Sequence, residues 1–142
     1  MPRCLGSSDG AELGLALLRE AVADRDSADV EAALLVSESF GFRPGHLPLL
    51  LELAWVDWHC KHEDVVWYLG KNYQSPEVVE ALIWATEWVP AYLDFDESRA
   101  LARKAIWKLG KQPGERARVA LEQVARSANG VLQEDARRQL ER

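Results

Sequence analysis

Residues 75–110 read SPEVVEALIWATEWVPAYLDFDESRALARKAIWKLG, and the reading of this stretch decides the fold. Ser75 followed by Pro76 marks a helix start. The hydroxyl can accept a first-turn N–H, and proline at the first helical position gives up no hydrogen bond. Val78, Val79 and Leu82 follow at helical spacing. Leu101, Ala105 and Leu109 recur at i, i+4, i+8, and Gly110 after Lys108 and Leu109 is a C-terminal stop. The spacing predicts helices near 76–89 and 96–110 joined by the acidic connection YLDFDES, residues 92–98. Asp94 or Asp96 can cap the second helix, and Glu97 sits near its first turn.

The same reading extends outward. Helices are expected near 10–24, 27–40, 46–58, 62–71, 114–128 and 131–141, separated by DRDS (24–27), GFRPG (41–45), NYQSP (72–76), GKQPG (110–114) and NG (129–130). No strand alternation of useful length occurs. Leu132, Ala136 and Leu140 repeat the interval of Leu101, Ala105 and Leu109. The fold class that follows is all-α, with antiparallel helix pairs, 76–89 with 96–110 and 114–128 with 131–141. Such hairpins bury their faces by stacking, which is the logic of an α-solenoid. The segment 46–58, HLPLLLELAWVDW, is apolar almost all round and is expected to be the central buried helix. The last two helices carry mixed charge outside and small apolar residues inside, as a C-terminal cap would.

Composition narrows the function. A chain of 142 residues fits one helical domain, and 48% hydrophobic with 28% charged residues is an ordinary globular balance. No apolar run reaches the ~20 residues of a membrane span. The polar start MPRCLGSSDGAEL does not read as a secretory signal, so a cytoplasmic protein is expected. Cys4 and Cys60 lack CxxC spacing and read as idle thiols. The net charge of −6 argues against a nucleic-acid partner and suits a basic protein partner.

Three groups of residues carry candidate chemistry. Asp57, His59, Cys60, His62, Glu63 and Asp64 include every side-chain type that binds transition metals, but no HExxH or CxxC is present. With a helix starting near His62, His59 lies in the preceding turn and the two imidazoles need not converge. Helix capping, with a recognition role for the exposed acids, is the preferred reading over metal binding or catalysis. Asp94, Asp96 and Glu97 form a second acidic group, with no histidine, Gly-rich loop or nucleophile to complete a catalytic site. The six tryptophans are the third. At 100° per residue Trp107 falls opposite the stripe of Leu101, Ala102, Ala105, Ile106 and Leu109. Trp67 likewise opposes Val65, Val66 and Leu69, and Trp84 and Trp88 oppose Val78, Val79 and Leu82. They form either inter-repeat core or partner anchors, with Trp88 and Trp107 the candidates for exposure. Lys104 reads as exposed.

SPEVVEAL followed by SRALARKAIWKLG resembles the HEAT-repeat pattern, through Pro76, Arg103, Ala105, Ile106, Leu109 and Gly110. The resemblance covers roughly residues 58–141, so that 46–142 is read as HEAT-like helical pairs and 1–45 as helices of unassigned type. DWHCKHEDVV (57–66), AYLDFDESRALARKAIWKLG (91–110) and ARRQL (136–140) resemble a group of small bacterial HEAT-like proteins encoded beside polymorphic toxins and regarded as immunity proteins. KQPGERAR (111–118) departs from that group, replacing its short Gly-containing turn. The resemblance implies a cytosolic, non-enzymatic inhibitor of a toxin domain, with no cofactor. Asp57, Glu63, Asp64, Asp94, Asp96 and Glu97 would then steer a basic surface, with Trp67, Trp88, Tyr92 and Trp107 as anchors and His59 and His62 beside them. A general HEAT-like adaptor, and a HEAT-like enzyme or metal protein using His59 and His62, are the alternatives.

Overall fold

The computed structural model describes residues 7–93, 99–127 and 129–141. These form eight α-helices and no strand: α1 (Ser7–Asp24), α2 (Ser27–Phe40), α3 (His46–Trp55), α4 (His62–Asn72), α5 (Pro76–Glu87), α6 (Ala100–Leu109), α7 (Glu115–Val124) and α8 (Gly130–Leu140), with a 3-10 turn at Ala91–Leu93 between α5 and α6. No helix is long and apolar enough to cross a membrane among the described residues.

Local chemistry sets the helix ends. Asp26 Oδ1 accepts the Asp29 N–H at 3.0 Å to start α2, and Gly41, at φ 109°, ends it by donating its N–H to Ser37 C=O. Ser75 Oγ accepts the Val78 N–H at 3.2 Å, with Pro76 at the first position of α5. Asn129 Oδ1 accepts from both Val131 and Leu132 to start α8. α5 stops at Glu87, two residues short of expectation, because Trp88 is already extended (ψ 136°) and Val89 precedes Pro90.

The chain divides into two compact units, Met1–Lys61 and His62–Arg142. In the first, α1 packs on α2 and on α3. A Cβ at Gly14 would lie 2.6 Å from Ser37 Oγ and 3.1 Å from Ser37 Cα, so only glycine permits this approach of α1 to α2. Ser37, fully buried, is hydrogen-bonded to His46 Nε2 at 3.1 Å, and His46 Nδ1 accepts the Arg43 N–H at 2.9 Å. One imidazole therefore ties α2, the GFRPG turn and the start of α3 together. α3 groups with α1 and α2, not with the helices that follow it. It is also not buried all round: His46, Leu50, Leu53 and Ala54 face inward, while Pro48, Glu52 and Trp55 are exposed. The exposed three are spaced four and three apart, one helical face, which the density of leucines hides.

In the second unit the central helix is α6, packed on α4, α5, α7 and α8, with Leu101, Ala102, Ala105, Ile106, Lys108 and Leu109 all buried. α7 packs on α8 and on α5. Arg103 Nε donates to Asp135 Oδ2 at 2.6 Å across the α6–α8 contact, and the Asp135 side chain is only 3% exposed against 43% for Arg103. Asp135→Ala should cost roughly 2 kcal/mol. That is less than for a fully interior pair, because Arg103 can turn to water. Urea denaturation checks this against Glu80→Ala, which removes an exposed pair with Arg116 and should leave the midpoint nearly unchanged.

Candidate partner-binding surface

The stretch DWHCKHED builds two helix ends. His59 is 1% exposed, and its Nε2–H donates at 2.7 Å to the carbonyl of Leu53, one of the last in α3. Its Nδ1 accepts the Lys61 N–H at 3.0 Å. The ring thus receives a carbonyl that the end of the helix leaves open and fixes the chain that leaves it. His62, also 1% exposed, is the first residue of α4. The Tyr92 hydroxyl accepts its backbone N–H at 3.1 Å and donates to its Nδ1 at 2.8 Å. Both histidines are interior and offer a partner no surface of their own. Among the described residues no three His, Cys, Asp or Glu side chains are grouped as metal ligands.

The acids of the stretch are placed differently. Asp57 is exposed in the loop of the first unit, and Glu63 and Asp64, in the first turn of α4, are half-buried. Glu63 Oε1 accepts from Lys104 Nζ at 2.9 Å, so this lysine is paired across α4 and α6. Asp94, Asp96 and Glu97 lie outside the described residues.

In the second unit the His62 ring lies between Tyr92, at 5.5 Å, and the edge-on ring of Trp88, at 5.1 Å, and Trp88 stacks on Trp84 at 5.9 Å. Trp88 and Tyr92 are thereby half-buried, and Trp84 at the end of the row is 36% exposed. Trp67, on α4, and Trp107, on α6, are each 39% exposed. Trp107 is exposed as its helical angle predicts. Trp88 is not, because the α5 stop turns it back onto His62.

Lys108 is the residue that sequence reasoning missed. It is 5% exposed, its Nζ sits 3.6 Å from the centre of the Trp67 ring, and its methylenes fill the space where a Cβ of Gly70 would stand. Burial, and then the charges of Lys111 and Lys71, hold its pKa below the ordinary lysine value. The signal was present: Lys108 is seven residues from Leu101 and three from Ala105, hence on the buried face of α6.

Two sets of measurements test this surface and its supports. Gly70→Ala sets a methyl against the Lys108 stem near the backbone and should destabilise the chain by about 1–3 kcal/mol, read by thermal or urea unfolding. Lys108→Met keeps the stem, loses the cation–π contact and spares a buried ammonium, so its midpoint should match or exceed that of the unaltered chain. Burial lowers the pKa of His46, assisted by Arg19 and Arg43, and burial lowers that of His59, both from the usual 6.5. The unfolded chain therefore binds protons first as the pH falls. Stability from these rings is complete above about pH 6.5 and is lost on acidification toward the folded-state values. Melting curves from pH 7.5 to 5.5 should show this loss, and His46→Gln should flatten it.

Comparison with protein-family models, with curated proteins and with solved structures finds no match.

Proposed function

We propose that this chain is a non-enzymatic protein-binding module of the cytoplasm, an immunity protein that covers the active site of a basic toxin domain. The observation that carries the reading is the exposure of Trp67, Trp84 and Trp107 in the second unit, 39%, 36% and 39% respectively. Tryptophan joins large apolar area to an N–H donor at small entropic cost, and it dominates interface hot spots. Asp57, Glu63 and Asp64, in a chain of net charge −6, favour a basic partner. In the second unit His62 and Tyr92 hold the start of α4, and in the first His59 holds the end of α3.

The architecture we propose for the second unit is a short HEAT-like solenoid of stacked antiparallel pairs. Its support is contact register. Glu63 meets Lys104 and Gly70 meets Lys108, so α4 and α6 run the same way. Arg103 meets Asp135 and Gly110 meets Gln139, so α6 and α8 do also. α5 runs against α6: Thr86 near its end accepts from Arg99, while Tyr73 before its start accepts from Gln112.

Purification of the tagged full-length chain with the product of the adjacent gene tests the function. The expected result is a stoichiometric basic toxin domain whose toxicity disappears on co-expression. Trp67→Ala with Trp107→Ala should weaken the complex about 30- to 1000-fold, the effect of losing 2–4 kcal/mol at a hot spot. A larger housekeeping partner would make the chain an adaptor, and capture of nothing would remove the binding reading.

A further inference from the structure

The second unit carries a cleft of about 380 Å³ where α5 and α7 begin, with walls that include Pro76, Val79 and Pro113. Gln112 lines it and is 8% exposed. Its Nε2 donates to the Tyr73 carbonyl at 3.0 Å, but its Oε1 is buried and accepts no hydrogen bond. A buried acceptor without a donor is unfavourable unless a ligand supplies one. Three residues on, α7 starts after Gly114, which has no side chain to cap the first turn. α5 differs, since Ser75 already caps it. Glu115 and Arg116, in the open turn of α7, also line the cleft.

Gln112, whose Oε1 lacks a donor, and the uncapped first turn of α7 thus both border the cleft, between apolar surfaces. The ligand that matches is a neutral amide, with its N–H toward Gln112 and its C=O toward α7. Glu80 and Arg116 are paired with each other across the mouth of the cleft. An anion would suit the α7 donors but set its oxygens against Gln112 Oε1 and the Glu115 carboxylate. A cation would suit Gln112 but face the positive ends of two helices. A second recess, of about 170 Å³, lies farther along the same two helices, lined by Ile83, Val124 and neighbours. α5 is 12 residues long, roughly 18 Å at 1.5 Å per residue, which matches about five residues of extended chain.

We propose that this cleft reads a backbone amide in an extended, apolar peptide segment of a protein partner. On binding, the Gln112 side chain turns its Oε1 outward to accept the segment's N–H, and the first turn of α7 donates to its C=O. The identity of the occupant rests on the protein-binding reading above; the amide chemistry does not.

Titration of the ¹⁵N-labelled full chain with N-isobutylacetamide tests the chemistry, with N-isobutyl-N-methylacetamide as the probe lacking the N–H. The expected result is saturable shifts at the Gln112 side-chain amide and the backbone N–H groups of Glu115 to Ala117, with at least about tenfold weaker binding of the methylated probe. In Gln112→Met the preference should fall below about twofold. Equal affinities, shifts confined to other residues, or no saturable shift would overturn the proposal, and these comparisons on the unaltered chain need no variant to fold. A captured toxin that leaves Gln112 and Glu115–Ala117 unperturbed also overturns it, with the protein-binding reading intact. Amide discrimination with no captured partner upholds the site and removes the toxin.

Discussion

The close approach of α4 to α6 at Gly70 governs the second unit. Where any other residue would hold the helices apart, the methylenes of Lys108 lie against bare backbone. That contact takes the lysine out of water and brings its ammonium over Trp67, while the adjacent Trp107 stays exposed. About two turns earlier on α4 and one turn earlier on α6, Glu63 and Lys104 meet. The exposed tryptophans are therefore held by their own helices' packing. An anchor that loses little freedom on binding retains more of its contact energy.

Acidic and aromatic residues divide the work of recognition in the proposed complex. Charge acts at a distance and governs how often a partner arrives, while desolvated aromatic area governs how long it stays. The buried histidines supply rigidity at the junctions that set helix direction. An apolar side chain could fill the same volume, but it could not donate to the Leu53 carbonyl or accept from the Tyr92 hydroxyl.

Much of the fold was legible because its punctuation is local. Starts at Ser27, His46, His62 and Pro76 fall where caps, glycines and prolines predict them. What was not legible is tertiary. Tyr92 caps α4 across thirty residues, and nothing in the neighbourhood of either residue announces the pair. Lys108 was hidden by its type, since lysine on an apolar face is read as a boundary residue, and only a glycine on the facing helix makes room for it. The exposed side of α3 was hidden by leucine density. The cleft is a separate case: Gln112, Pro113 and Gly114 read in sequence only as a turn, and the cleft forms where that turn meets Pro76 and Val79 at the start of α5.

The hydroxyl of Tyr92 performs two tasks with one oxygen, and its seating sets the local dynamics. First-turn amides of a helix ordinarily exchange their hydrogens with solvent freely, having no internal acceptor. The amide of His62 has one, on a 3-10 turn that precedes α6, so its exchange can occur only when that turn lifts away. The protection of this single hydrogen therefore measures how often the Ala91–Leu93 turn lifts from the start of α4, a motion that the exchange of hydrogens inside α5 or α6 would not report.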